Sequence, residues 1–184
     1  MGKLIAGVIV LAAAIAGVAL WYTAERAYYI PASFTPGQEI RLVSVVTGQP
    51  EPILVEGIEG IDATSSPIKF RACFTTPLTL ALLTETYQIA DNAEPLIAPS
   101  NFPCFDAKAI GAALEAGEAV AFLSEPNITY GIDRIVAITG DGKGYAWHQI
   151  NACGRVVFNG DPAPEGCPPI PETDAPTGTP EGTN

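Results

Sequence analysis

Histidine occurs once in the 184 residues, methionine once, and lysine with arginine only nine times against 20 aspartates and glutamates. Each scarcity removes a class of function. A single histidine, His148, and an initiator methionine cannot furnish the ligand set of a zinc or copper carrier, so no metal and no cofactor is expected. The few basic residues leave no footprint for a nucleic-acid backbone. Cys73, Cys104, Cys153 and Cys167 include no C-x-x-C pair, so zinc-ribbon and thioredoxin-type chemistry lack their spacing. There is no Gly-x-Ser-x-Gly elbow and no internal repeat of useful length.

Against this background one apolar run stands out. Residues 4–22, LIAGVIVLAAAIAGVALWY, form 19 consecutive uncharged positions. At about 1.5 Å per helical residue they match the roughly 30 Å hydrocarbon core of a bilayer. Lys3 and the amino terminus precede the run and Trp21 with Tyr22 close it, which favours a cytoplasmic N-terminus and everything after Thr23 outside. Gly17, Val18 and Ala19 would also suit cleavage of a signal peptide, but the run is longer than the usual core of about 7 to 15 residues and ends on bulky aromatics. An anchor is the expectation. Small residues four apart, such as Ala12 with Ala16 and Ala13 with Gly17, permit close packing against another membrane helix.

Beyond the run, eight basic residues face all 20 acidic ones, a balance of −12. Such a surface repels nucleic acid and anionic headgroups, keeps the chain soluble and suits a basic partner protein. Four cysteines in an exported domain imply two disulfides. Of the three connectivities, Cys73 with Cys104 and Cys153 with Cys167 are both local, and the second would staple the start of the tail to the domain.

The chain divides into an anchor at 1–23, a juxtamembrane connector at 24–38, an α+β domain at 39–160 and a Pro-rich acidic tail at 161–184. Strands are expected at 40–46, 53–55 and 68–74, with the Gly48 to Pro52 segment as a breaker between the first two. Thr76 before Pro77 reads as a helix start, and Leu80, Leu83 and Tyr87 extend a helix over 77–87. Asp106 is the N-cap of a second helix, with Phe105 and Ile110 placed for a hydrophobic staple and Gly117 at its end. From Ala119 the strands AVAFL, YGIDRIVAIT, YAWHQI and RVVF follow, with turns at 140–144 and 151–154. This predicts an antiparallel meander with both helices on one side. The tail carries seven prolines and neither aromatic nor basic residues, so it is expected to lack fixed structure except near Cys167.

Candidate chemistry concentrates in one stretch. Tyr130, Asp133, Arg134, Tyr145, Trp147, His148 and Gln149 form the densest group of potentially specific side chains, and a binding surface is expected there. Strand alternation puts Tyr145, Trp147 and Gln149 on one face, His148 on the other, and Asp133 and Arg134 on opposite faces. His148 could serve as a general base oriented by Asp133 or Asp141, as a pH sensor, or simply as a hydrogen-bonded core histidine, the last being the commoner case. The Gly140 to Gly144 segment lacks Walker spacing and is a hairpin turn. Asn127-Ile128-Thr129 matches a glycosylation sequon, which matters only in a eukaryotic secretory setting.

AIGAALEAGEAVAFL, YGIDRIVAI and GYAWHQINACG, together with the short anchor, resemble a bacterial family of small single-pass membrane proteins of unknown function. Some members carry a histidine-kinase label. This sequence contradicts it, having no helix with a phosphoacceptor histidine and no Gly-rich ATP-binding domain. The resemblance implies a bacterial inner-membrane location with the domain in the periplasm, and no catalytic residue. The leading expectation is a noncatalytic accessory or interaction protein with a protein partner in a membrane complex. A periplasmic ligand-binding or sensing domain is the alternative, and a weak hydrolase the third reading.

Overall fold

The computed structural model describes residues 2–171. Helix α1 covers Gly2–Tyr22, and no residue along it is buried against the other described residues. It is long and apolar enough to cross a membrane, with a mean hydropathy of 2.6. A helix suits that setting because it satisfies its own backbone polar groups. A π-helical turn, Thr23–Ala27, follows, and the Thr23 hydroxyl donates to the carbonyl of Ala19 or Leu20, each at 3.0 Å.

The domain is built on a six-stranded antiparallel sheet. Its strands are β1 (Ile30–Pro31), β4 (Glu56–Asp62), β5 (Arg71–Thr75), β6 (Ala119–Thr129), β7 (Ile132–Thr139) and β8 (Lys143–Ile150). Their spatial order is β1-β4-β5-β8-β7-β6. A two-stranded ribbon of β2 (Arg41–Val43) and β3 (Pro50–Pro52) lies apart from it. The helices are α2 (Leu80–Thr86), α3 (Ala107–Glu115) and α4 (Ala152–Val157). The expected α+β class and the meander of β6, β7 and β8 are both present.

The central strands are covered on both faces. Ala72, Phe74, Phe122, Val136, Ile138 and Ala146 point to one side, where Ile40, Leu42, Ile53, Phe70 and Leu83 complete a core. Cys73, Ala121, Ile135, Ala137 and Trp147 point to the other, against Phe102, Phe105 and Ile110. Leu83 belongs to α2 and Ile110 to α3, so the helices lie on opposite faces and not on one side as expected. The unbroken apolar run Ile135-Val136-Ala137-Ile138, buried throughout, carries this information, because a strand exposed on one face would alternate.

Several boundaries differ from expectation for local reasons. Helix α2 starts later, with Thr79 capping the amide of Leu82, while the Thr76 hydroxyl donates to the Leu54 carbonyl. The prolines of the supposed breaker form β3; its far side is open, so their missing N–H groups cost no ladder bond. The Ile53 to Val55 segment lies between strands, and β4, with three acidic residues and two glycines, was not expected as a strand. Pro67–Lys69 is a 3-10 turn, so β5 begins only at Arg71. RVVF is not a fourth meander strand but the body of α4, because Asn151 caps the Gly154 amide at 2.9 Å and starts a helix directly after β8. Asp106 caps α3 as expected, accepting from Lys108 and Ala109, which typically stabilises by about 1 kcal/mol. Gly117 follows α3 with φ +72.

Both expected disulfides form, Cys73–Cys104 and Cys153–Cys167. They account for all four cysteines. Their loops span 31 and 14 positions, for which chain entropy suggests about 3 to 4 kcal/mol each. The expectation for the tail falls largely on 172–184, outside the described residues.

The β5–β8 contact leaves no room at Gly144, where an added methyl would lie 2.2 Å from Cε2 and Cζ of Phe74. Gly144→Ala should therefore destabilise by about 1 to 3 kcal/mol through overpacking. Gly111→Ala, on α3 with nothing within 4 Å, should be neutral or gain up to about 1 kcal/mol from helix propensity. Urea unfolding of the two full-length variants in detergent checks this; equal stability of the two would refute the packing described.

Candidate functional site

Register brings together residues far apart in sequence. On β7 and β8, Arg134 stands opposite His148, both pointing toward the face that holds Phe70. The imidazole stacks on the Phe70 ring at 4.5 Å and the Arg134 guanidinium lies 4.4 Å from the same ring centroid. Arg134 Nε donates to His148 Nε2 at 3.0 Å, while Nδ1 lies 2.6 Å from the Pro67 carbonyl. A guanidinium only donates and a carbonyl only accepts, which fixes the tautomer: Nδ1 carries the hydrogen and Nε2 is the acceptor.

Glu125 completes the cluster, accepting from Arg134 Nη1 at 3.0 Å and from Arg41 Nη2 at 2.9 Å. One carboxylate thus holds two guanidinium groups and ties β6 and β7 to β2. Burial, reinforced by the charges of Arg134 and Arg71, pushes His148 down to about 3, although the Pro67 hydrogen bond opposes the shift. The ring is therefore neutral across the physiological range. Arg134 is lowered as well, chiefly by burial, with Glu125 and Asp62 acting against it.

In this geometry neither Asp133 nor Asp141 orients His148. Its partners are Pro67 and Arg134, neither of them a carboxylate. Asp133 lies on the opposite face, where Oδ1 accepts from the Asn127 amide and from Asn151 Nδ2, each at 2.8 Å. Asp141 sits in the β7–β8 turn, paired with Lys143 at 2.7 Å. Hydrogen bonds from Lys143 and Thr139 hold its carboxyl down at about 2.

The remaining candidates serve the other face. Trp147 is fully buried, its Nε1 donating to Gln149 Oε1 at 3.1 Å. Gln149 in turn accepts from the Glu94 amide and donates to the Asn92 carbonyl, fastening the loop before α3 to the sheet. Tyr145 and Trp147 both meet the Phe105 ring edge-on at 6.1 Å. Tyr130 is buried near the β6–β7 turn, and its hydroxyl has no hydrogen-bond partner among the described residues. The seven residues do not converge on one surface; Arg134 and His148 are separated by the sheet from Tyr145, Trp147, Gln149 and Asp133.

Sequence reasoning missed Phe70, Glu125, Arg41 and Arg71. A hairpin centred on Asp141 places Arg134 and His148 seven residues to either side, so that pair had a readable signal. The contributions of Phe70 and Glu125 had none. Arg71 is buried, donating to the carbonyls of Ile68, Phe70, Leu96 and Ile97, and burial lowers it to about 10 against the influence of Tyr29. Among the described residues no group of three or more His, Cys, Asp or Glu side chains is placed to hold a metal.

The chain thus combines a single apolar helix with a small disulfide-braced α+β domain. Residues 40–168 match the model of a family of unknown function (DUF6446), and the chain belongs to that family. The match begins at Ile40, a fully buried core residue, and ends just past Cys167, so both disulfides lie within it while α1 lies outside. No curated protein and no solved structure matches the chain.

The His148 arrangement has a measurable consequence. The unfolded ring protonates near 6.5 and the folded ring near 3, so its contribution to stability is complete above pH 6.5 and is lost as pH falls toward 3. Between pH 7 and pH 5 the wild type should lose about 2 kcal/mol more than His148→Gln. Urea midpoints of the full-length proteins at the two pH values test this, and parallel losses would contradict the buried neutral imidazole.

Proposed function

We propose that this protein is a noncatalytic accessory or interaction component of a bacterial inner-membrane complex. On this reading α1 is a retained anchor, the N-terminus is cytoplasmic, and the domain is periplasmic. The observation that carries the reading is α1 itself, 21 residues without one buried position. Such a surface needs an apolar environment that the other described residues do not supply. The two disulfides fit an oxidising compartment.

The arrangement of the polar groups supports an interaction role over a chemical one. Both His148 nitrogens are engaged within the fold, Asp133 is tied to Asn127 and Asn151, and Arg71 is spent on four carbonyls. These groups brace loops against the sheet. The excess of acidic residues beyond α1 makes a basic protein surface the natural complement.

Affinity isolation of the intact, tagged protein from native membranes in mild detergent, with mass spectrometry under nonreducing conditions, tests the proposal. The expected result is a reproducible membrane partner in stoichiometric amount. Recovery of a monodisperse monomer would count against it.

A further inference from the structure

One end of the sheet is set apart by where the chain puts it: β1, the first strand after α1, enters there. Ile30 stands opposite Asp62, Ile61 opposite Arg71, Ile132 opposite Ile150 and Thr129 opposite Ile132. The starts of β1, β5 and β7 and the ends of β4, β6 and β8 therefore share the end at which the connector arrives from α1. Three segments are fastened there. The Pro67–Lys69 turn meets the connector through Lys69, whose Nζ lies 5.4 Å from the ring centroids of both Tyr28 and Tyr29. Arg71 bonds the carbonyls of Ile68, Leu96 and Ile97 together, bringing the 96–97 loop alongside that turn. Arg155 of α4 lines a cavity of about 230 Å³ with Ile68, Glu94, Leu96, Gln149 and Ile150.

These segments hold apolar side chains outward. Ile97 is 85 % exposed, Phe158 at the end of α4 52 %, and Tyr28 49 %. An isoleucine left so open on a loop anchored by a buried arginine is not explained by packing within the domain. Lys69 lies beside Tyr28, and Arg26 and Arg155 precede Tyr28 and Phe158 by two and three residues; they are three of the eight basic residues beyond the apolar run.

We propose that this end of the domain rests in the headgroup layer of the bilayer that α1 spans. Ile97, Phe158 and Tyr28 enter the headgroup layer, with Arg26, Lys69 and Arg155 within reach of the phosphates. The inference rests on the anchor reading above. The chain itself selects the occupant, because six residues take it from Tyr22 to Tyr28, at most about 9 Å at a helical rise. The interfacial layer is roughly 5 to 8 Å deep on each side of the hydrocarbon, so a protein partner has little room between. The strong negative charge of the domain as a whole means that apolar insertion, and not attraction to anionic lipid, drives the contact; zwitterionic lipid suffices. The domain is then held at a fixed tilt, with the Asp141 turn facing away from the membrane toward a partner.

All four cysteines are in disulfides, so one added cysteine can be labelled uniquely in the full-length chain. Ile97→Cys, Trp21→Cys and Val46→Cys, each carrying a bimane probe, are compared in phosphatidylcholine vesicles containing doxyl-labelled phosphatidylcholine. Val46 is the matched control, 88 % exposed in the β2–β3 turn. Fluorescence loss at position 97 comparable with that at position 21, and none at 46, is the expected result. Loss at 21 without loss at 97 overturns the proposal and leaves the anchor standing. Equal loss at 97 and 46 overturns it too, since the contact would not belong to this end. No loss at 21 removes the anchor reading and the proposal with it.

Discussion

The burial of β5, β7 and β8 on both faces is the constraint from which the rest of the domain follows. A strand hidden on one side needs one covering layer; these need two, and the chain has only short elements to provide them. On one face the β2–β3 ribbon and α2 supply Ile40, Leu42, Ile53 and Leu83, and on the other α3 and the loop before it supply Phe102, Phe105 and Ile110. Small residues at the centre make this possible. Ala72, Ala137 and Ala146 are fully buried, and Gly144 lies flat against Phe74, so the covering layers approach closely. Cys73–Cys104 then joins β5 to the loop that covers it.

Polar groups at the margins of this core follow the same logic. A buried arginine without a carboxylate would be costly, and Arg71 avoids that by donating to four carbonyls, which also fixes the loops that own them. Arg134 is paired with Glu125, lies over the Phe70 ring and donates to His148. The histidine stays neutral chiefly because it is buried, with the charges of Arg134 and Arg71 adding to the effect. Groups that look reactive in the sequence are therefore the fasteners of a scaffold. The same fastening holds the loop on which Ile97 is exposed.

Much of this was legible in the sequence where the signal is local. An uncharged apolar run, Asp106 before a 3.6-residue period, and a Gly-Asp-Gly turn between apolar strands each need only their neighbours to be read. Both cystines were legible because each closes a short loop. Elements defined by distant partners were not. β4 is written in glutamate and glycine, and it is a strand because β5 offers it a ladder. The RVVF segment has strand residues but follows Asn151, whose side chain caps a helix, and Gly154 needs to approach Gly131 closely. The placement of the helices on opposite faces was implicit in the Ile135 to Ile138 run. Phe70 under His148 depends on two strand pairings at once, and no spacing encodes it.

Amide hydrogen exchange of the intact chain in detergent tests the two-sided burial most directly. Residues 71–75, 135–138 and 145–148 should be the slowest set and should exchange at one common free energy, since no layer can leave without exposing all three strands. Faster exchange is expected in β1 and in the β2–β3 ribbon. Separate opening of β5 from β7 and β8, or greater protection in the ribbon than in the central strands, would contradict the account.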